Sequence, residues 1–395
     1  MKKRVLLNAF QFDINGVSEA YLAAKWKQSL SKYISVDLVT GESISGDGIY
    51  TPSKRFEFNN RFLNRLNSAI KFDYFEFNRK SVNQLKVLIK NYDVFHHVSP
   101  VAPRYPVSLG EYANCFILGP VAGGLRVPKK FRSEIEGSEE FFIKARNIDS
   151  FRLKYDKKLL KTYESADFIL VAGDYMQGIL PSQFHSKFIP FLDVGVDVDL
   201  FDFKLREITD GFLNLVYVGR VVPYKGLIYL LKALAILPVS VKPLVSLSIA
   251  GDRGETDYER KCYRFVEENG LSKCVTFNGY VTKKEVNYIY DKAHVFCFPS
   301  LAEAGGTVVV EALSKGLPVI AANIGGPSES VNNSCGVLVD AQTPESLIEG
   351  FKDAIINYIE KPDLLKKASR EARDRALFKY NWDVRARKMI DIYNL

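Results

Sequence analysis

Histidine, cysteine and tryptophan are scarce in this 395-residue chain, with four, five and two copies. Each scarcity removes a class of function. His96, His97, His185 and His294 are too few and too scattered to build a zinc cluster. Cys115, Cys262, Cys274, Cys297 and Cys335 are odd in number and lack CxxC spacing, so neither a disulfide framework nor a thiolate metal site is indicated. They read as buried apolar thiols. No apolar run reaches the roughly 18 residues of a membrane-spanning helix. The basic start, Met1-Lys-Lys-Arg4, leads into an apolar stretch too short for a secretory signal; it reads as a first buried strand and implies a cytosolic location. Heptads, repeats and low-complexity tracts are also lacking.

What is present is an ordinary globular composition, 47% hydrophobic and 25% charged. The length exceeds what one core supports, so two domains are expected. Short apolar runs alternate with amphipathic segments, the pattern of an α/β fold with helices on both faces of a parallel sheet. Strands are predicted at 4–8, 35–39, 94–97, 115–118 and 168–171, and again at 213–218, 245–250, 275–277, 295–298 and 318–321. Most of these runs are apolar without alternation, as strands covered on both faces should be. The pattern restarts near Leu213, which places a boundary at about 198–211. Two doubly wound, Rossmann-like domains would then face each other across a cleft at the carboxyl ends of their strands, where open parallel sheets bind ligands.

Two loops carry groups for chemistry. The run Val218-Gly-Arg220…Lys225-Gly226 puts two cations between a buried strand and a helix N-terminus, a place suited to a diphosphate; two solvated loop cations are the alternative. In Ser300-Leu-Ala-Glu303-Ala-Gly-Gly-Thr307…Glu311, a helix is predicted from Gly306 or Thr307 to Ser314, with Gly316 as its stop. Glu303 stands before that helix and Glu311 inside it among valines and leucine, where an unpaired charge would be costly. A carboxylate can accept from two sugar or ribose hydroxyls at once.

These segments, with Gly316-Leu-Pro-Val-Ile320, closely resemble the GT-B glycosyltransferases, specifically the large family 4 (group 1) of retaining enzymes. Gly195-Val-Asp197…Phe201, Phe277-Asn-Gly-Tyr-Val281 and Gly325-Gly-Pro-Ser-Glu329 agree, and Tyr380-Asn-Trp382…Tyr393 resembles the family's last helix, which crosses back onto the N-terminal domain. The likeness spans the chain and is stronger after Leu213. It implies an acceptor-binding domain at 1–198 with 378–395 returning to it, a linker at 199–211, and a nucleotide-sugar-binding domain at 212–377.

By the same resemblance, Arg220 and Lys225 hold the donor's diphosphate and stabilise the departing charge, in the loop that Gly219 opens. Glu303 contacts the transferred sugar, and the backbone of Ala304, Gly305, Gly306 and Thr307 meets sugar and phosphate. Glu311 holds the ribose, and Tyr280 and Val281 meet the base. No metal and no cofactor beyond the nucleoside-diphosphate sugar are implied. Gly16 takes the place of the family's first glycine loop, although most relatives have two glycines where this chain has Asn15-Gly16. The stretch Gly119-Pro-Val-Ala-Gly-Gly124 resembles a subgroup with a Gly-Pro-x-x-Gly-Gly loop, which brings Gly123 and Gly124 to the acceptor side. The histidine many relatives carry there is absent. His97 stands beside His96 on an earlier strand, where neighbouring side chains point opposite ways; an acceptor contact and a structural histidine are both open for it.

The net charge of +8 is uneven: residues 1–200 hold 28 Lys/Arg against 22 Asp/Glu, and residues 201–395 hold 26 against 24. Lys54, Arg55, Arg61, Arg65, Lys71, Arg79 and Lys80 mix with Phe56, Phe58, Phe62, Phe72, Tyr74, Phe75 and Phe77; Lys144, Arg146, Arg152, Lys154, Lys157, Lys158 and Lys161 follow. Such segments suit a membrane surface and a lipid-diphosphate head, or else a solvated face over core aromatics. No nucleic-acid module accompanies them. The expected function is retaining transfer of a sugar from a nucleoside-diphosphate donor to a hydroxyl of a glycan acceptor. The acceptor is expected to be lipid-linked, in bacterial-type surface polysaccharide assembly on the cytosolic side of a membrane. The alternatives are a nucleotide-sugar epimerase or phosphorylase of the same fold, or a catalytically silent nucleotide-sugar-binding scaffold.

Overall fold

The computed structural model describes residues 3–43, 48–50, 59–60, 67, 71–134, 147–251 and 257–395. Lys54, Arg55, Phe56, Phe58, Arg61, Phe62, Arg65, Lys144 and Arg146 lie outside the described residues. The chain divides into two compact units. The first comprises Met1–Gly124, Glu139–Asp193 and Trp382–Leu395; the second comprises Leu125–Ser138 and Val194–Asn381.

In the first unit the strands β1 (Arg4–Ala9), β2 (Ser35–Thr40), β3 (Ile49–Tyr50), β4 (Val94–Ser99), β5 (Phe116–Val121), β6 (Phe168–Val171) and β7 (Phe188–Pro190) form one parallel sheet in the order β3-β2-β1-β4-β5-β6-β7. Strands β4 and β5 are buried at every residue, because apolar clusters cover both sheet faces. One cluster includes the last helix, Trp382–Tyr393, which lies against the helix Ser18–Leu30, with Trp26 and Trp382 edge to face at 5.1 Å.

That packing buries charge. Asp193 is 6% exposed and accepts from the Trp26 indole N–H at 3.1 Å. Burial raises its pKa from the ordinary carboxylate range to about 6; the indole bond and Arg385 oppose the rise, and Glu19 adds to it. The fold therefore favours the neutral acid. The stability this confers is complete below about pH 4 and is lost as pH rises through 6, about 3 kcal/mol by pH 8. Asp193→Asn, which keeps an acceptor for Trp26, should flatten the pH dependence of urea unfolding between pH 4 and 8 and leave the variant the more stable protein at pH 8. An unchanged slope would contradict this.

In the second unit, β8 (Leu213–Val218), β9 (Val245–Ala250), β10 (Val275–Phe277), β11 (Val295–Phe298), β12 (Val319–Ala322) and β13 (Gly336–Val339) form a parallel sheet in the order β10-β9-β8-β11-β12-β13. The order reverses between β8 and β11, so the loops leaving these strands open side by side. This is the switch point at which doubly wound sheets bind ligands.

Three divisions differ from those expected. Residues 125–134, expected with the first domain, belong to the second unit, where Phe131 meets Tyr229 edge to face at 5.1 Å. The expected linker, 199–211, is also part of the second unit. It is tied there by Arg206, whose Nη1 donates to the carbonyls of Asp291 and Ala293, each at 3.0 Å, and whose Nη2 donates to that of Lys315 at 2.8 Å. The return to the first unit begins at Trp382, past the expected 378.

Candidate functional site

Strand β8 ends at Gly219, whose N–H donates to the Ala250 carbonyl at 3.0 Å. Arg220 then turns outward, its backbone carbonyl accepting at 2.9 Å from the hydroxyl of the buried Tyr217. A single 3₁₀ turn, Pro223–Lys225, leads to Gly226 and the helix Leu227–Ala235. Gly226 has φ +71°, and a Cβ there would overlap the Pro299 carbonyl oxygen, so only glycine lets this loop lie against the one leaving β11. The two loops are joined where the Leu301 N–H donates to the Tyr224 carbonyl at 2.8 Å.

This contact brings together residues 78 positions apart. Lys225 Nζ donates to Glu303 Oε2, with 14% and 19% of the two side chains exposed. Lys225 also lies over the ring of Phe298, 5.2 Å from its centre. The carbonyl of Glu303 accepts from the Gly326 N–H at 2.9 Å. A Cβ on Gly326 would overlap the carbonyls of Ala304 and Gly305, so the loop after β12 braces the one carrying Glu303 by close backbone approach. The sequence pattern Gly325-Gly-Pro-Ser-Glu329 was visible, but its bracing role depends on this tertiary contact.

Gly306, at φ +82°, caps the helix Thr307–Ser314 without a side-chain cap, so the first amides of that helix have no intrahelical acceptor. Ala304, Gly305 and Thr307 keep partial exposure, and Gly306 is buried. Glu311 lies one turn inside, between the buried Val310 and Ala312. Burial pushes its pKa up, with Lys283 opposing, and its carboxylate accepts no hydrogen bond from another described side chain. Its charge is felt by Lys283 and Tyr290 of the helix Lys283–Lys292, which is capped by Thr282 and Glu285. Just before it come Tyr280, 80% exposed, and the half-buried Val281; the preceding Gly279 carbonyl accepts from the Gly251 N–H at 2.7 Å.

The second unit therefore gathers Gly219, Arg220, Lys225, Glu303–Thr307 and Glu311 at the carboxyl ends of β8 and β11, with Tyr280 and Val281 following β10. The paired ammonium and carboxylate, the exposed fork of Arg220 and the open helix start can bind an anion beside a hydroxyl-rich group. Sequence reasoning missed Tyr224, whose hydroxyl accepts from Arg220 Nη2. The signal available was an aromatic residue inside an otherwise basic loop.

The remaining candidates belong to the first unit. Gly16 follows a turn in which its N–H donates to the Asp13 carbonyl at 3.2 Å. Gly123 and Gly124, both at positive φ, follow β5, and the Gly123 N–H donates to the Tyr175 hydroxyl oxygen at 3.3 Å. His97 is 2% exposed, its Nδ1 3.2 Å from the Asn8 amide and its Nε2 3.2 Å from the Pro100 carbonyl. His96 is bonded in the same way, to the Tyr393 hydroxyl at 2.7 Å and the Gly119 carbonyl at 2.6 Å. Burial lowers the pKa of His97 to about 3 and of His96 to about 4. Neither ring offers a free nitrogen, so of the two readings open for His97 the geometry is that of a structural histidine. Among the described residues no group of three or more His, Cys, Asp and Glu side chains is arranged to hold a metal ion.

The chain is similar to known proteins in sequence and in fold. Residues 201–375 match the family model for glycosyl transferases group 1. A D-inositol 3-phosphate glycosyltransferase of Corynebacterium urealyticum is 32% identical over 246 residues, 58% of this chain and 57% of that protein. The O-antigen chain mannosyltransferase B of Escherichia coli is 29% identical over 211 residues, 50% and 54% of the two chains. The matched stretch thus spans about half the length of these curated relatives. Anabaena HepE, solved in complex with UDP and glucose, superposes with a TM-score of 0.62 at 15% identity, covering 99% of each chain. That likeness concerns the fold. The chain has the two Rossmann-like units of the GT-B architecture, and its residues 201–375, which hold the whole of the site in the second unit, match the family model for glycosyl transferases group 1.

Proposed function

We propose that the protein is a glycosyltransferase that moves a sugar, with retention of configuration, from a nucleoside-diphosphate sugar to a hydroxyl of a lipid-linked glycan in surface polysaccharide assembly. The observation that carries this reading is the meeting of Lys225 and Glu303 at the switch point, beside Arg220 and the open start of the helix Thr307–Ser314. Arg220 and Lys225 grip the diphosphate, Glu303 takes hydroxyls of the transferred sugar, Glu311 takes the ribose, and the backbone at Tyr280 and Val281 meets the base. Glu311's raised pKa suits this role: among the described residues no side chain donates to its desolvated carboxylate, and paired hydroxyls would supply such donors.

Transfer follows on one face of the sugar. The bond from the anomeric carbon to the diphosphate oxygen breaks, the bond to the acceptor oxygen forms, and the acceptor's proton passes to the departing diphosphate. Arg220 and Lys225 stabilise the charge that develops there. The chemistry calls on no metal and no general base, and Glu303 and Lys225 act as a fixed pair that positions and neutralises.

The donor and acceptor classes draw support from relatives: HepE was solved with UDP and glucose, and an O-antigen mannosyltransferase is among the matched proteins. For the membrane, the first unit presents Phe151 and Tyr155, 64% and 56% exposed, next to the exposed Lys154, Lys157, Lys158 and Lys161. Tyr74 and Phe77, in contrast, are core residues. Among the described residues no helix is long and apolar enough to cross a membrane, so the contact proposed is peripheral.

The test is incubation with labelled nucleotide sugars and lipid-linked acceptors in anionic vesicles. Labelled lipid product, lost in Glu303→Ala and Arg220→Ala proteins that still fold, is expected. Conversion of donor without acceptor would mark an epimerase instead, and undiminished transfer in both variants would refute the assigned roles.

A further inference from the structure

We propose that Tyr224 is a positioning residue of the diphosphate site, holding Arg220 and Lys225 at a set spacing before the ligand arrives. This inference rests on the donor reading above. Two cations directed at one anion repel each other while the site is unliganded, and Arg220 is exposed, so nothing in its own burial would keep its guanidinium in place. Tyr224 supplies what burial does not. Its ring lies under both charges, 5.7 Å from the Arg220 guanidinium carbon and 5.9 Å from Lys225 Nζ. Its hydroxyl oxygen accepts from Arg220 Nη2, and its backbone carbonyl accepts at 2.8 Å from the Leu301 N–H.

One residue thus contacts both cations and also ties their turn to the loop that delivers Glu303. Tyr217 completes the arrangement by donating to the Arg220 carbonyl, so the main chain and the side chain of Arg220 are each held by a phenol. An arginine immobilised beforehand loses less rotamer freedom on binding, and that saving appears as affinity. The position between Arg220 and Lys225 is therefore the one where a residue that never touches the ligand sets how tightly a diphosphate is held.

The experiment is calorimetric titration of the full chain with pyrophosphate, UDP, GDP and ADP, in the wild-type protein, Tyr224→Phe, Tyr224→Leu, Arg220→Ala and the Tyr224→Phe/Arg220→Ala double variant. Tyr224→Phe keeps the ring and loses the acceptor. It should weaken binding of the nucleotide that the wild type takes by about 3–10-fold, and Tyr224→Leu should weaken it further. In the Arg220→Ala background the Tyr224→Phe change should have no further effect, because it acts through the guanidinium. A merely structural tyrosine would lower the melting temperature and weaken binding equally in both backgrounds, which would overturn the proposal, as would wild-type affinity in Tyr224→Phe. If Arg220→Ala binds every probe as the wild type does, or the wild type binds none, the donor reading itself falls and this inference with it.

Discussion

Replacing Lys225 by alanine is expected to lower the proposed transfer by about 10²–10³-fold while the protein stays folded. Lys225 is one of two cations at the switch point and the one held against Glu303, so under the proposed roles its loss removes charge stabilisation from the departing diphosphate and releases the carboxylate proposed to position the sugar. The cost to the fold should be small, because the side chains of the pair retain some exposure and such pairs contribute on the order of 1 kcal/mol or less. Lys225→Arg should not restore the rate, since a planar fork cannot replace a point charge packed over Phe298. Initial rates with a labelled donor, read together with the thermal unfolding curve, check both halves. Transfer within threefold or so of wild type would remove Lys225 from the chemistry.

The second large effect concerns stability. Arg206 is 1% exposed, and its guanidinium satisfies three backbone carbonyls at the C-terminal ends of two helices, while its backbone N–H donates to Ser369 Oγ at 2.9 Å. Burial lowers its pKa to about 10, which still leaves it charged at neutral pH. Arg206→Ala would leave the carbonyls of Asp291, Ala293 and Lys315 without this donor and open a void the size of a large side chain. A loss of about 3–5 kcal/mol is expected, measured as urea unfolding of the full chain. Arg206→Lys should recover little of it, because one ammonium cannot reproduce the fork. A loss below about 1 kcal/mol would show that water satisfies those carbonyls.

These two residues also mark what could be read in advance. Arg220, Lys225, Glu303 and Glu311 were legible because each sits in a short pattern whose neighbours are diagnostic: a glycine at a strand end, a glycine at a helix start, a run of valines. Arg206 was not. It lies in a stretch with turn residues and no helical period, which reads as a linker, and its carbonyl partners are 85 or more positions away. The strands Ile49–Tyr50, Phe188–Pro190 and Gly336–Val339 were missed for a related reason. All three are short, and the proline of the second and the glycine of the third weaken any periodic signal.

His96 and His97 show the limit from the other side. Alternation along a strand says that adjacent side chains point to opposite faces, but it does not say that both faces are covered. In this protein both are, by Tyr393 and Gly119 on one side and by Asn8, Pro100 and Tyr74 on the other, so both rings are held in the core.

The sequence by itself determined the α/β class, the ten longest-read strands and the loops that carry charge, because strand burial and helix starts are encoded by residues close together in the chain. Only the tertiary structure decided that Lys225 meets Glu303, that Tyr224 lies beneath both cations and that Arg206 closes the supposed linker. Those contacts depend on β8 lying beside β11 in the sheet. A crossover of that kind is selected by the packing of the whole unit, and no local run of residues specifies it.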